Sequence, residues 1–397
     1  MPKRSVERAE VGGRLVLVRV DFNVPLDGDR VTDDTRIRAA LPTISHLVER
    51  GARVVLVSHL GRPKGKPDPR FRLAPVARRL STLLGREVAT IEAVVGPEAE
   101  RASEGLANGE ILLLENVRFE PGEETNDPDL AAKLAKLADI YVDDAFGAAH
   151  RAHASTVGVA RLLPAYAGFL LRREVDVLSR LRDAPQRPFV AVLGGAKVSD
   201  KLGVVAGLLE QVDVLLLGGG MANTFLLAQG HGVGASLVER DRVEDARATM
   251  ERAAALGVEI GLPSDAVVAP SLEAAHGRVV PIDAVPDGEG VFDVGPATVA
   301  AFGERIGTAR TVFWNGPMGV FERSPFAAGT RGVADAIGRA PGYTVVGGGD
   351  SVAAVEQMGT AAAVDHISTG GGASLELLEG RELPGVAVLP DEEATGG

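Results

Sequence analysis

Apolar residues fall along this chain in short unbroken runs, and most runs end in glycine, asparagine or a charged residue. In the first half, Leu15-Val16-Leu17-Val18-Arg19-Val20, Val54-Val55-Leu56-Val57, Ile111-Leu112-Leu113-Leu114 and Ile140-Tyr141-Val142 predict four strands. The second half repeats the pattern with Phe189–Leu193, Val214–Leu217, Thr311–Trp314, Thr344–Val346 and His366–Thr369. Strands that are apolar at every position are buried on both faces, as in a parallel sheet covered by helices. Between them the period changes. Asp33-Asp34-Thr35 opens a helix with apolar positions at Ile37, Leu41, Ile44 and Val48, and Gly51 ends it. A further helix, from Ala167 to about Leu181, leads to Pro185 and Pro188 and is the predicted connector between two halves.

Length and composition narrow this picture. At 397 residues the chain exceeds one ordinary core, which predicts two domains. With no cysteine it has neither disulfides nor thiolate metal sites, which fits the cytoplasm. Met1-Pro2-Lys3-Arg4 leads into polar residues without an apolar signal core, and no apolar run reaches membrane-spanning length. The net charge of −12 argues against a nucleic-acid partner. Its distribution is uneven: residues 1–187 carry 29 Lys and Arg against 27 Asp and Glu, and the remainder 13 against 27. An anion site is therefore easier to host in the first half.

The predicted strand ends there carry chemistry. Asp21 and Asn23 follow the first strand, and ligands of open α/β sheets bind at strand carboxyl ends. Arg36 falls in the first turn of the next helix, where a cation opposes the helix dipole, so a ligand role accounts for its presence. Ser58-His59-Leu60-Gly61-Arg62-Pro63 follows the second strand, Glu115-Asn116-Val117-Arg118 the third, and Asp143-Asp144 with His150-Arg151-Ala152-His153 the fourth. Arg36, Arg62, Arg118 and Arg151, with His59, are thus expected on one rim, where arginine's planar fork suits phosphate and carboxylate oxygens. Gly61 to Lys66 has the wrong glycine spacing for a P-loop, and Pro67 stands where it needs Ser or Thr. Asp143 and Asp144 read as caps and turn acceptors rather than a metal pair, and His150 and His153 as packing or supporting residues.

In the second half Val192-Leu193-Gly194-Gly195-Ala196-Lys197 breaks a strand with two glycines, which let backbone N–H groups approach a phosphate closely. Lys197 and Lys201, four apart, are expected on one face of the helix that follows. Gly218–Gly220, Gly347–Gly349 and Gly370–Gly372 end other strands, and Thr369–Gly372 offers a nest of N–H donors. Asp350 is placed either to hold Mg²⁺ on a phosphate chain or to cap its helix, and Glu322 to accept from ribose hydroxyls. No Gly-x-Gly-x-x-Gly is present, which weighs against a dehydrogenase.

Over essentially its whole length the chain resembles the phosphoglycerate kinase family. The resemblance is carried in order by Leu17–Pro25, Ser58–Pro63, Leu114–Phe119, Ala148–His153, Gly194–Lys201, Trp314–Pro317 and Gly348–Ser351. It implies an α/β fold of two doubly wound, Rossmann-like parallel-sheet domains: residues 1–166 for the triose, a connector helix at 167–187, and 188–372 for the nucleotide, with 373–397 returning to the first domain. It also implies reversible phosphoryl transfer from 1,3-bisphosphoglycerate to MgADP, giving 3-phosphoglycerate and ATP, by a monomer that closes on a hinge. The triose would be held by Asp21, Asn23, Arg36, His59, Arg62, Arg118 and Arg151. The nucleotide would be held by Lys197, Gly220, Gly295, Glu322, Gly348, Gly349, Asp350 and Ser351, with Asp350 on Mg²⁺. Arg36, Lys197, Lys201, Gly371 and Gly372 would contact the transferring group. A non-catalytic nucleotide sensor would be expected to lack Lys197, Lys201 or Asp350, and all three are present.

Overall fold

The computed structural model describes residues 2–392. Contacts divide the chain into one unit of residues up to Val177 together with those from Glu382 onward, and a second of Leu178–Arg381. In the first unit the four expected strands form, and two more edge strands, Ala89–Thr90 and Ala165–Ala167, complete a six-stranded sheet. All its pairings are parallel, with Leu15–Arg19 between Arg53–Val57 and Ile140–Asp143. Val16, Val18, Val54, Leu56 and Leu113 are buried in its core against Ile37, Ile44 and Leu47. Those last three lie on one stripe of the helix Thr35–Glu49, while Leu41 and Val48 sit half-buried at its margin. Each fully buried branched side chain contributes about 1.5–3 kcal/mol.

The connector is the helix Phe169–Asp183, two residues shorter at its start than expected, because Ala165–Ala167 pairs as a strand with Tyr141–Asp143. Asp144 accepts from the Leu170 and Leu171 amides at 2.9 and 3.3 Å and so caps this helix, and Asp143 accepts from the Ala145 amide at 2.9 Å. Both carboxyls are the turn acceptors the sequence suggested. Burial pushes Asp143 up to about 6 and Asp144 up to about 7.

The second unit has its own six-stranded parallel sheet, in which Phe189–Leu193 lies between Val214–Leu217 and Thr311–Asn315. Three antiparallel strands, Asp265–Ala269, Arg278–Pro281 and Gly290–Val294, stand beside it as a separate sheet. The run of predicted strands passes over this region. Its edge strand Arg278–Pro281 buries only Val280, and Pro281 ends it; the central strand Asp265–Ala269 is buried throughout, but half of its apolar run is alanine, a weak strand former. The return to the first unit starts at Glu382 rather than at residue 373. The helix Gly372–Leu378 belongs with Leu202–Leu208, where Gly207 lets the Leu378 carbonyl approach to 2.7 Å of its would-be Cβ. Beyond it, Lys3 pairs with Asp391 at 2.8 Å and Arg172 with Glu392 at 3.0 Å, while Gly385 packs on Ala149.

Candidate active site

Because the first sheet is parallel, the residues leaving its central strands emerge on one edge. Asp21 receives Arg36 Nη1 on both carboxylate oxygens at 3.2 Å, and the same nitrogen donates to the Asn23 carbonyl. The Asn23 side chain accepts from the Gly61 amide at 2.9 Å, and the Gly61 carbonyl accepts from Arg118 at 2.7 Å. Asp21, Asn23, Arg36 and Arg118 are therefore joined through Gly61, with Arg62 exposed beside it. His59 is buried, its Nε2 3.9 Å from Asp21. Arg151 donates to His150 at 3.1 Å and is exposed.

Beneath these residues lies a buried polar chain. Arg19 is fully buried, its Nε donating to Ser155 Oγ at 2.8 Å and its Nη1 to the Val20 carbonyl at 2.6 Å. Ser155 donates to Glu123 at 2.6 Å, and Glu123 is itself wholly buried. Although burial opposes it, hydrogen bonds and the Arg19 charge hold the Glu123 carboxyl below its ordinary range. Sequence reading passed over this set. The signal was present in Arg19, a charge set inside an unbroken apolar strand.

In the second unit the loops after three strands interlock through backbone. Gly195 N–H donates to the Pro317 carbonyl at 3.0 Å, Gly219 N–H to that of Met318 at 3.1 Å, and Met221 N–H to that of Gly195 at 3.0 Å. Gly219 has φ +65°, and a Cβ there would stand 2.7 Å from the Gly195 backbone. At Gly220 it would stand 2.7 Å from the Ala196 carbonyl, so glycine permits the approach. A cavity of about 320 Å³ opens beside them. Its lining combines apolar Leu226, Ile282 and Val291 with the backbone of Gly195 and Gly220 and the carboxylates Glu322 and Asp350. A second cavity, of about 210 Å³, is lined by Lys201, Asn315, Gly348, Gly349, Asp350, Ser351, Gly371 and Gly372. Asp350 lines both.

Two expectations change here. No helix follows Gly195 directly: residues 196–201 form turns, and the helix begins at Leu202 with Lys201 at its cap position. Lys197 and Lys201 therefore do not share a helical face. Lys197 is exposed, whereas Lys201 is half-buried and donates to the Asn315 carbonyl at 3.4 Å. Burial pulls the Lys201 ammonium down to about 8 against the opposing attraction of Asp350. Gly295 lines neither cavity; it precedes the helix Pro296–Thr308, pressed against the Asp265 carboxylate. Ser351 turns inward, its hydroxyl accepting from the Gly316 amide at 2.5 Å, and so steadies the loop.

Residues 6–381 match the family model described as phosphoglycerate kinase. The chain belongs to the phosphoglycerate kinase family. A phosphoglycerate kinase of Rubrobacter xylanophilus is 60% identical over 394 residues, spanning 99% of this chain and all of that protein. That of Roseiflexus sp. RS-1 is 59% identical over 98% of this chain and all of its own length. Among solved structures, phosphoglycerate kinase from Coxiella burnetii superposes with a TM-score of 0.89 at 45% identity, covering 98% of each chain. The Pyrococcus horikoshii enzyme gives 0.86 at 35% identity, over 97% of this chain and 98% of its own. The family's two parallel-sheet domains are those described above.

No group of three or more acidic or histidine side chains able to hold a metal occurs among the described residues. A lone carboxylate facing two cavities still fits Mg²⁺, which commonly takes one or two protein carboxylates and fills its shell with phosphate oxygens and water. Asp350 is the side chain so placed.

Proposed function

We propose that this chain transfers a phosphoryl group reversibly between the acyl phosphate of 1,3-bisphosphoglycerate and MgADP, forming 3-phosphoglycerate and ATP. The observation that carries this reading is the second cavity: Lys201, Asp350 and two glycine-edged helix starts converge on a space suited to a transferring phosphoryl group. Family membership gives the reaction class, a kinase with a carboxyl acceptor.

In this proposal the triose anion lies against Arg36, His59, Arg62, Arg118 and Arg151, with Asp21 and Asn23 setting its orientation. Adenine occupies the apolar part of the larger cavity, Glu322 accepts from the ribose, and the Gly220 and Gly348–Ser351 backbone faces the phosphates. Lys197, exposed on its turn, reaches the nucleotide from solvent, and Gly295 supports the pocket wall rather than touching ligand. Mg²⁺, held by Asp350, neutralises phosphate oxygens when bound. Arg36, Lys201 and the N–H groups at Gly371 and Gly372 stabilise the charge spread over the transferring group. A loose transition state asks for in-line positioning and neutralised oxygens, so no protein nucleophile is needed. In the ATP-consuming direction the carboxylate of 3-phosphoglycerate is the attacking group and requires no general base.

Reacting oxygens must approach to roughly 3–3.5 Å, so the proposal includes hinge closure, using Phe169–Asp183 and the glycines of Thr369–Gly372. Each ligand alone biases that equilibrium weakly, and the pair biases it most. Scattering is expected to show the greatest contraction with both substrates, and an unchanged radius of gyration would remove the hinge. The reading extends to a cytoplasmic monomer; no described helix is long and apolar enough to cross a membrane. The deciding experiment is a coupled assay with 3-phosphoglycerate and MgATP. Nucleotide binding without turnover would favour a sensor instead.

A further inference from the structure

The hydrogen bonds beneath the triose site have forced directions. An ionised Glu123 can only accept, so the Ser155 hydroxyl donates to it at 2.6 Å. Ser155 Oγ is then left to accept, which it does from Arg19 Nε at 2.8 Å. A guanidinium has five donors and no acceptor, and Arg19 Nη2 lies 3.1 Å from His59 Nδ1. His59 Nδ1 must therefore be the acceptor and carry no proton, and the single ring proton resides on Nε2. That nitrogen stands 3.9 Å from Asp21, beyond hydrogen-bond distance, at the group of residues assigned to the triose.

From this geometry we infer that Arg19 is a positioning residue, which holds His59 as a neutral imidazole presenting Nε2–H to the bound triose anion. The inference rests on the proposed triose site and adds to it the manner in which histidine takes part. His59 supplies a directed, uncharged donor among arginines, not a further cation. Its surroundings favour this from every side: Arg19 on the strand, Arg36 on the following helix, Arg118 on the turn after the third strand, and His153 all oppose protonation. Asp21 is the acidic side chain facing it, across 3.9 Å. Burial acts in the same direction and is the largest influence, so the imidazole is held well below its ordinary value.

Nitrogen-15 spectra of histidine-labelled protein test this, with the His59 signals assigned by their loss in His59→Gln. The expected spectrum has an unprotonated Nδ1 and a protonated Nε2 that do not titrate between about pH 5.5 and 8, the range in which a free imidazole changes charge. A protonated Nδ1, or a midpoint near the ordinary histidine value, would overturn the inference. Removing the fork with Arg19→Met is expected to raise KM for 3-phosphoglycerate by about tenfold, the effect of one misplaced hydrogen bond. The same variant should make that KM vary with pH and leave KM for MgATP unchanged. Arg19→Lys keeps the charge without the fork and is expected to restore only part of the loss. Equal changes in both KM values would mean a general structural role and refute positioning. The spectrum is read on the unaltered protein, so a variant that fails to fold does not prevent a decision. A protein with the expected tautomer that ignored 3-phosphoglycerate would refute the proposed function, and the positioning role with it, while the tautomer stood.

Discussion

Each unit carries one of the two proposed anion sites at the carboxyl edge of its parallel sheet, and the two are made of different material. In the first unit the donors are side chains, held by other side chains: Arg36 by Asp21, Arg118 by Gly61 and Glu124, Arg19 by Ser155. In the second they are largely backbone, supplied by glycine loops that lock onto one another through Gly195, Gly219 and Pro317. A side-chain site concentrates its function in single residues, and each can be removed while the fold survives. A backbone site spreads function over a loop, and it is broken by adding atoms rather than by deleting them.

The largest expected effect separates the two kinds of site. Arg36→Ala should lower kcat by about 10²-fold or more, the scale of losing one transition-state stabiliser. A rise in KM for 3-phosphoglycerate with kcat intact would mean that Arg36 serves binding alone. Its counterpart is Gly219→Ala, which deletes nothing. The added methyl meets the Gly195 backbone at 2.7 Å and the Pro317 carbonyl at 2.9 Å, in a left-handed conformation. Thermal unfolding should show a loss of roughly 1–3 kcal/mol, and calorimetry a weaker MgADP affinity. Full stability in that variant would show that the interlocked loops yield more readily than the contrast requires.

Asp350→Asn tests the side chain proposed to hold the metal beside the backbone donors. Its MgADP affinity should fall by about tenfold, while 3-phosphoglycerate binding, measured separately, stays unchanged. Equal loss of both would point to the helix start rather than to the metal. Lys201 gives the pH dependence. Its ammonium is charged below about 8 and neutral above, and bound phosphate favours the charged form. The kcat/KM for phosphoryl transfer should therefore fall as pH passes 8, whereas Lys201→Arg should flatten that limb.

The smallest effect concerns a device the units share. Asp144 and Asp293 are buried carboxylates that accept backbone amides, and burial pushes each up to about 7. An unfolded aspartate is already ionised above its ordinary value of 3.8, so this charge destabilises the native state progressively from there up to about pH 7. Asp144→Asn keeps an acceptor for the connector helix and removes the charge. The difference in melting temperature between variant and native protein should shift in the variant's favour from pH 5 to pH 8, about a degree or two.

The sheets were legible because their strands are apolar on both faces, and the rim because its residues directly follow those strands. What escaped has physical reasons. In the antiparallel sheet at Asp265–Val294 the buried central strand reads Ala266-Val267-Val268-Ala269, half of it alanine, which is a weak strand signal, and the Arg278–Pro281 strand buries one residue. Lys197 and Lys201 were assigned to a helix by spacing, but the turns of residues 196–201 intervene and set only Lys201 toward the second cavity. The links of the Glu123–Ser155–Arg19–His59 chain span 32, 136 and 40 positions in turn, and no local pattern announces such a network. Gly295 shows the converse: the resemblance assigned it to the nucleotide, yet what requires glycine there is the Asp265 carboxylate packed against it.

The clasp at Glu382–Glu392 bears on how the protein is made. Leu383 and Leu389 are buried within the first unit, which otherwise ends at Val177. Roughly 200 residues are translated in between, which at about 5–20 residues per second takes some 10–40 s. Throughout that interval the nascent first unit lacks the partners of Lys3, Arg8 and Arg172, and the apolar surface around Ala149 lies open. Its sheet is complete on the ribosome long before its last hydrophobic cover arrives, so a chaperone that shields apolar surface on nascent chains has its longest opportunity at this seam.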